Sequence, residues 1–283
     1  MYEAYFGFNE NPFNLSPDPR FIFLSPYHRE ALDHLGYGIL ERKGFVMITG
    51  GVGTGKTTLC RSFFNGLDEK VETAMIFNSF LSELELLATI TEEFGMAKKR
   101  TRKTLKYYID ALNIFLLENF SAGKHAVLLI DEAQNLTHGV LEQIRMLSNL
   151  ETEREKLIQI VLIGQPELRD FLCLPSLRQL NERITIRYHL RALDRCHIGP
   201  YVDHRLSVAG GQGRIRFAQS AYRMIHDYSE GIPRRINAIC DRCLLIAYTK
   251  DLFLVERRTV KDAMKDMGPH YIMPKRRFFK FLD

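Results

Sequence analysis

Gly50-Gly51-Val52-Gly53-Thr54-Gly55-Lys56-Thr57 is the most chemically specific stretch of the chain. It fits the spacing G-x-x-x-x-G-K-[ST], with an apolar run before it and a helical pattern after it. Glycines let the backbone fold so that its N–H groups point inward at phosphate oxygens. The helix N-terminus adds a partial positive charge. In that setting Lys56 reaches the β- and γ-phosphates of ATP, and Thr57 offers its hydroxyl to Mg²⁺. A glycine-rich turn without a ligand would explain the glycines but not a Lys-Thr pair opening a helix. The candidate nucleotide-binding residues are therefore Gly50, Gly51, Val52, Gly53, Thr54, Gly55, Lys56, Thr57 and Thr58.

A second constellation lies 75 positions after Lys56, where the apolar run Val127 to Ile130 exits on Asp131-Glu132. Acidic residues at the C-terminal end of a buried strand face the crevice where open α/β sheets bind ligands. Asp131 is the expected Mg²⁺ ligand with Thr57, and Glu132 is placed to orient and deprotonate an attacking water. Phosphoryl transfer also needs positive charge around its transition state. Arg178 and Arg183 precede a later apolar run, and Arg234 and Arg235 lie in Gly231-Ile232-Pro233-Arg234-Arg235-Ile236-Asn237. A lone arginine is usually just a solvated surface residue.

Such residues need a sheet to hold them. Four apolar runs, Phe45 to Ile48, Ala74 to Phe77, Ala126 to Ile130 and Ile158 to Ile163, are apolar at consecutive positions, as in strands buried on both faces. Between and around them Thr57 to Leu67, Leu84 to Phe94, Leu105 to Phe120 and Val140 to Leu150 carry helical periodicity. A fifth strand is expected at Ile184 to Tyr188. The alternation predicts an α/β domain over 41–190 with a five-stranded parallel sheet. After Leu190 only helical patterns follow: Tyr201 to Val208, Ala218 to Tyr228, Pro233 to Tyr248 and Val260 to Met267. They predict a small all-helical domain over 191–270 and a basic tail over 271–283. Residues 1–40 read as an irregular, aromatic, proline-rich arm leading into a helix with Ser25 as its cap and Pro26 in its first turn.

The 283 residues are 46% hydrophobic and 26% charged, which excludes wholesale disorder. No apolar run approaches the ~18 residues of a membrane span. The start Met1-Tyr2-Glu3-Ala4 has no signal-peptide pattern, and the expectation is a cytoplasmic chain. Five scattered cysteines are not a disulfide framework, and Cys240-x-x-Cys243, on a predicted buried helix, reads as core thiols. Residues 1–170 hold 18 basic and 23 acidic side chains, and residues 171–283 hold 21 and 11, giving net charges of −5 and +10. The second half is suited to an anionic partner or to the acidic half of another copy.

With these residues in place, the chain resembles the AAA+ ATPases, and more closely the ExeA/GspA-type ATPases of type II secretion. The matching stretches are Tyr5-Phe6-Gly7-Phe8-Asn9-Glu10-Asn11-Pro12-Phe13, Asp18-Pro19-Arg20-Phe21, Leu24 to Leu32, Asp131-Glu132-Ala133-Gln134-Asn135-Leu136 and Ile163-Gly164-Gln165-Pro166-Glu167-Leu168. The resemblance implies a three-layer P-loop AAA+ domain followed by a helical lid. It makes Gln165 sensor 1, Arg183 an arginine finger reaching a neighbouring subunit's ATP with Arg178 as second candidate, and Arg234 sensor 2. Asn78 would restrain Glu132, while Pro12, Phe13 and the His28-Arg29-Glu30 stretch would wrap the adenine. A trans-acting finger implies self-association into a ring or filament.

The chain departs from the family at Gly51, where an acidic residue is usual. Family members also continue into a membrane span and a periplasmic peptidoglycan-binding part, whereas this sequence stops at Asp283 after Pro274-Lys275-Arg276-Arg277-Phe278-Phe279-Lys280-Phe281. That tail resembles the positive cytoplasmic flank of an absent span. The expected work is ATP hydrolysis that drives or times assembly of a secretion or pilus envelope complex. The alternative is a DNA-bound switch that recruits a transposase. The basic cluster Lys98 to Lys106 could track DNA phosphates, although it reads first as a solvated loop.

Overall fold

The computed structural model describes residues 1–16, 18–77, 80–96, 104–153 and 155–268. Contacts divide the chain into two units. One comprises Pro26–Val52 and Lys56–Arg191. The other comprises Met1–Ser25, Gly53–Gly55 and the chain from Ala192 onward.

The first unit is built on five strands: β1 (Phe45–Gly50), β2 (Val71–Ile76), β3 (His125–Ile130), β4 (Ile158–Gly164) and β5 (Ile184–Leu190). Their order is β2-β3-β4-β1-β5, and every pairing is parallel. The expectation of consecutive burial holds for the three central strands for a physical reason. In β1, Phe45 and Met47 enter one core and Val46 and Ile48 the other. In β4, Ile160 and Leu162 face opposite to Val161 and Ile163. Helices Glu83–Glu93, Leu105–Ser121 and His138–Leu147 supply apolar residues to the first core, and Pro26–Leu40 and Lys56–Asn65 to the second. Both faces of the sheet are covered, so the central strands are almost wholly apolar, with Thr49 in β1 and Gln159 in β4 as buried polar exceptions.

The edge strands differ. In β5, Ile184, Ile186 and Leu190 are buried while Thr185, Arg187 and His189 face outward. An edge strand has one neighbour and one well-covered face, and so it alternates. The register sets Ile48 beside Ile163 and Ile130 beside Leu162. Because β4 lies between β1 and β3, the segments leaving β1 and β3 flank the one leaving β4. Sheet order alone thus gathers the glycine-rich loop, Asp131-Glu132 and Gln165 at one end of the sheet.

The second unit is helical apart from a two-residue parallel pair, Arg216–Phe217 with Leu254–Val255. Its main helices are Ile198–Val208, Gln219–Ser229, Pro233–Thr249 and Arg257–Met267. The aromatic arm belongs to this unit. Tyr2, Phe6, Phe8, Phe13 and Phe21 pack in one core with Ile198, Ile239 and Leu244. The arm also holds a short helix, Tyr2–Phe6, where the sequence predicts irregular chain. Arg205, 7% exposed, fastens it: Nε donates to the Pro12 carbonyl at 2.6 Å and Nη2 to the Asn14 carbonyl at 3.2 Å. Its guanidinium lies over the Phe21 ring, 4.7 Å from the centroid. Cys240 and Cys243 are fully buried in the same core, and burial pushes both thiols well above the ordinary range. They are packing groups, not thiolate ligands.

Among the described residues no helix is long and apolar enough to cross a membrane.

Candidate nucleotide site

The loop between β1 and the helix Lys56–Asn65 has the backbone its glycines foretell. Gly53 and Gly55 take φ of 79° and 96°, in the region that L side chains avoid. Gly53 is needed for space as well: a Cβ there would come within 2.7 Å of the Arg234 Cβ. Gly53–Gly55 group with the helical unit, in which the Arg234 N–H donates to the Gly53 carbonyl at 3.3 Å. The Arg234 side chain is exposed, as is Val52, and Thr54 is buried.

Lys56 opens the helix and is 6% exposed. Its Nζ turns back on the loop and donates to the carbonyls of Gly50 at 2.8 Å and Gly51 at 3.0 Å. Burial holds its pKa below the ordinary lysine value, while the carboxylates of Glu132 and Asp131 act in the opposite direction. Thr57 Oγ1 donates to Asp131 Oδ2 at 2.6 Å, so the first turn of the helix and the end of β3 meet through the two residues expected to hold Mg²⁺. Burial raises the Asp131 carboxyl above its usual range, against the opposing bonds from Thr57 and the Glu132 N–H. Thr58 is half-buried on the same helix.

Glu132 leaves β3 in a left-handed conformation, φ 50° and ψ 38°. Its Oε2 accepts from Gln134 Nε2 at 2.5 Å and from Gln165 Nε2 at 3.2 Å. The structure therefore brings together Lys56, Thr57, Asp131, Glu132 and Gln165. It adds Gln134, which no spacing rule marks in the sequence. His189 is another addition: its Nδ1 lies 3.0 Å from Thr49 Oγ1, on strands that pair Thr49 with His189. Burial, followed by the charges of Arg169, Arg191 and Lys56, holds its pKa below the ordinary histidine value. Only β1–β5 pairing could have revealed it.

The arginines of the sheet unit are placed differently from each other. Arg183 is half-buried, and its Nη1 donates to Ser148 Oγ at 2.6 Å and Asn149 Oδ1 at 2.5 Å. Arg178 is exposed and pairs with Glu182 at 2.8 Å. Of the residues expected around adenine, Phe13 is 1% exposed in the helical unit's core, with its ring against Phe217. The Pro12 carbonyl is engaged by Arg205. His28 and Glu30 start the helix Pro26–Leu40 of the sheet unit, where Glu30 accepts from the Tyr188 hydroxyl at 2.9 Å. Asn78, the basic residues Lys98 to Lys103 and the tail 271–283 lie outside the described residues.

Residues 39–172 match the AAA domain family. The chain is 48% identical over 250 residues, 88% of its length, to General secretion pathway protein A of Aeromonas hydrophila. It spans 45% of that relative. Its fold is similar to Cdc6p from Pyrobaculum aerophilum, with a TM-score of 0.70, 17% identity and coverage of 91% of this chain and 71% of that one. It is also similar to the ORC1 protein of Aeropyrum pernix, solved in complex with DNA: TM-score 0.64, 16% identity, covering 91% and 69%.

Proposed function

We propose that this chain, which carries an AAA domain over residues 39–172 and is similar to General secretion pathway protein A, hydrolyses ATP with Mg²⁺ as an oligomer, driving or timing assembly of an envelope secretion or pilus complex at the cytoplasmic face of the membrane. The observation that carries the hydrolysis is the 2.6 Å bond from Thr57 to Asp131, directly beside the buried Lys56. A hydroxyl and a carboxylate converge there, and both are hard oxygen donors. Among the described residues no cluster of three or more His, Cys, Asp or Glu could hold a metal alone. Mg²⁺ is commonly bound by one or two carboxylates, keeps waters and completes its shell with phosphate oxygens. Thr57 and Asp131 would hold Mg²⁺, which supplies charge neutralisation on the phosphates.

The other steps belong to the chain's own groups. Lys56 exchanges its bonds to the Gly50 and Gly51 carbonyls for phosphate oxygens, and the anion offsets the desolvation of its ammonium. Glu132 holds the attacking water and takes its proton. Gln165 contacts the γ-phosphate or that water, and Arg234 acts as the second sensor. The 48% identity to a general secretion pathway protein supports the envelope role over the DNA-bound alternative.

The test is ATP turnover with Mg²⁺ against EDTA, with and without double-stranded DNA. Lys56→Ala should lose nucleotide binding, and Glu132→Gln should bind ATP and lose turnover by about 100-fold or more. Unchanged turnover in either variant refutes the assignment. Salt-sensitive DNA stimulation would transfer the reading to the nucleic-acid switch.

A further inference from the structure

Gln134 sits two residues past Glu132, within the single 3-10 turn Ala133–Asn135, and both ends of its amide are committed. The backbone N–H of Gln165 donates to Gln134 Oε1 at 3.0 Å. A backbone N–H can only donate, so that end of the amide is the carbonyl and the NH₂ faces the other way. There Nε2 donates to Glu132 Oε2, the same oxygen that receives the Gln165 side chain. One amide thus joins the exits of β3 and β4.

Two further features show that the arrangement is built. A Cβ added at Gly164 would lie 2.9 Å from Gln134 Oε1, so the glycine leaves the space the amide fills. Glu132, moreover, is one of the few non-glycine residues with positive φ. Such a conformation persists only where the surroundings over-determine it. The side-chain bonds from Gln134 and Gln165 do so, with the Glu132 N–H donating to Asp131 Oδ1 at 2.8 Å.

We infer that Gln134 is a positioning residue for the water-activating carboxylate: its amide holds Glu132 Oε2 and ties it to the Gln165 backbone, leaving Oε1 to take the proton of the attacking water. The inference deepens the ATPase reading and rests on it. Gln134 touches neither nucleotide nor water in this role. It fixes which oxygen faces the water, and any shift of the β4 exit is carried through the same amide to Glu132.

Steady-state ATP turnover of the full chain with Mg²⁺ tests this in two variants. Gln134→Leu keeps the bulk and removes both polar ends. Gln134→Glu keeps the acceptor for the Gln165 N–H and sets a like charge against Glu132. Both should lose kcat by about 10- to 100-fold, the scale set by misplacing a reacting group by an ångström. KM for ATP should stay within about threefold. In a Glu132→Gln background, Gln134→Leu should cause no further loss of residual turnover, because the carboxylate it positions is gone. Wild-type kcat in Gln134→Leu overturns the inference, as does a further loss in the double variant. A rise in KM that accounts for the lost efficiency assigns Gln134 to nucleotide binding and also overturns it. Absence of turnover in the wild type removes the ATPase reading itself, and the inference with it.

Discussion

Asp131 carries a conflict between stability and function. It is 4% exposed, and burial raises its carboxyl above the usual range despite two hydrogen bonds to its charged form. The folded state therefore prefers this group neutral. That preference is fully present below the ordinary carboxylate pKa and is lost as pH rises through the raised one. The charged form of this carboxyl is the costly one to bury, and the cation of a metal-nucleotide complex would offset that cost. Asp131→Asn removes the charge while keeping an oxygen to accept from the Glu132 N–H and an NH₂ to donate to Thr57 Oγ1. Its thermal midpoint at pH 7 should be higher than wild type without ligand, and it should gain little from Mg-ATP, with turnover abolished. A lower midpoint without ligand would show that the two accepted bonds outweigh the desolvation cost.

At the level of elements, the fold positions chemistry by placing strand exits side by side, and the arm follows the same logic of packing in the helical unit. Arg205 is the fastening there, with two backbone carbonyls and the rings of Phe21 and Tyr201 as its partners. Arg205→Ala would leave the carbonyls of Pro12 and Asn14 without this donor and open a gap beside Phe21. A buried loss of that kind costs about 2–4 kcal/mol. It should lower the unfolding midpoint and expose the bonds before residue 25 to protease, and an unchanged midpoint with an equally resistant arm would contradict the account.

The same elements show what a sequence can carry. Central strands were legible because burial on both faces leaves consecutive apolar residues, and the phosphate loop because Gly, Lys and Thr occur at fixed spacing. The helix Tyr2–Phe6 was not legible, because five residues are too few to display a 3.6-residue period. Nor was the pair Arg216–Phe217 with Leu254–Val255, whose partners are far apart in sequence and two residues long. Gln134 stood in view within Asp131-Glu132-Ala133-Gln134, but its meaning depends on β3 and β4 being neighbours, a fact of sheet order and not of spacing. Phe13 read as a residue of a ligand-facing arm. Its burial depends on a core formed by helices almost two hundred residues later.

Oligomerisation is a property of the whole molecule, and the arginines make it testable. Within the chain, Arg183 is held by Ser148 and Asn149 at the end of the helix His138–Leu147, whereas Arg178 is exposed and, among the described residues, ion-pairs with Glu182 alone. A finger that acts in trans must leave its own subunit's contacts or lack strong ones. Each arginine-to-alanine variant should bind ATP, and the one that removes the finger should lose turnover. Loss alone does not separate a finger from a structural arginine, since Arg183→Ala also abandons the buried Ser148 hydroxyl and the exposed Asn149 amide oxygen. Mixing does. Arg183→Ala supplies an intact Glu132, and Glu132→Gln supplies an intact Arg183. In a head-to-tail assembly, an equimolar mixture of the two inactive variants forms about a quarter of its interfaces with both groups intact, and turnover should recover to roughly that fraction of wild type. The same mixture with Arg178→Ala decides between the candidates. Recovery should require protein concentrations at which ATP-loaded chains sediment as oligomers. If neither mixture recovers at such concentrations, the charge that completes the site comes from the same chain, and a trans-acting finger is excluded.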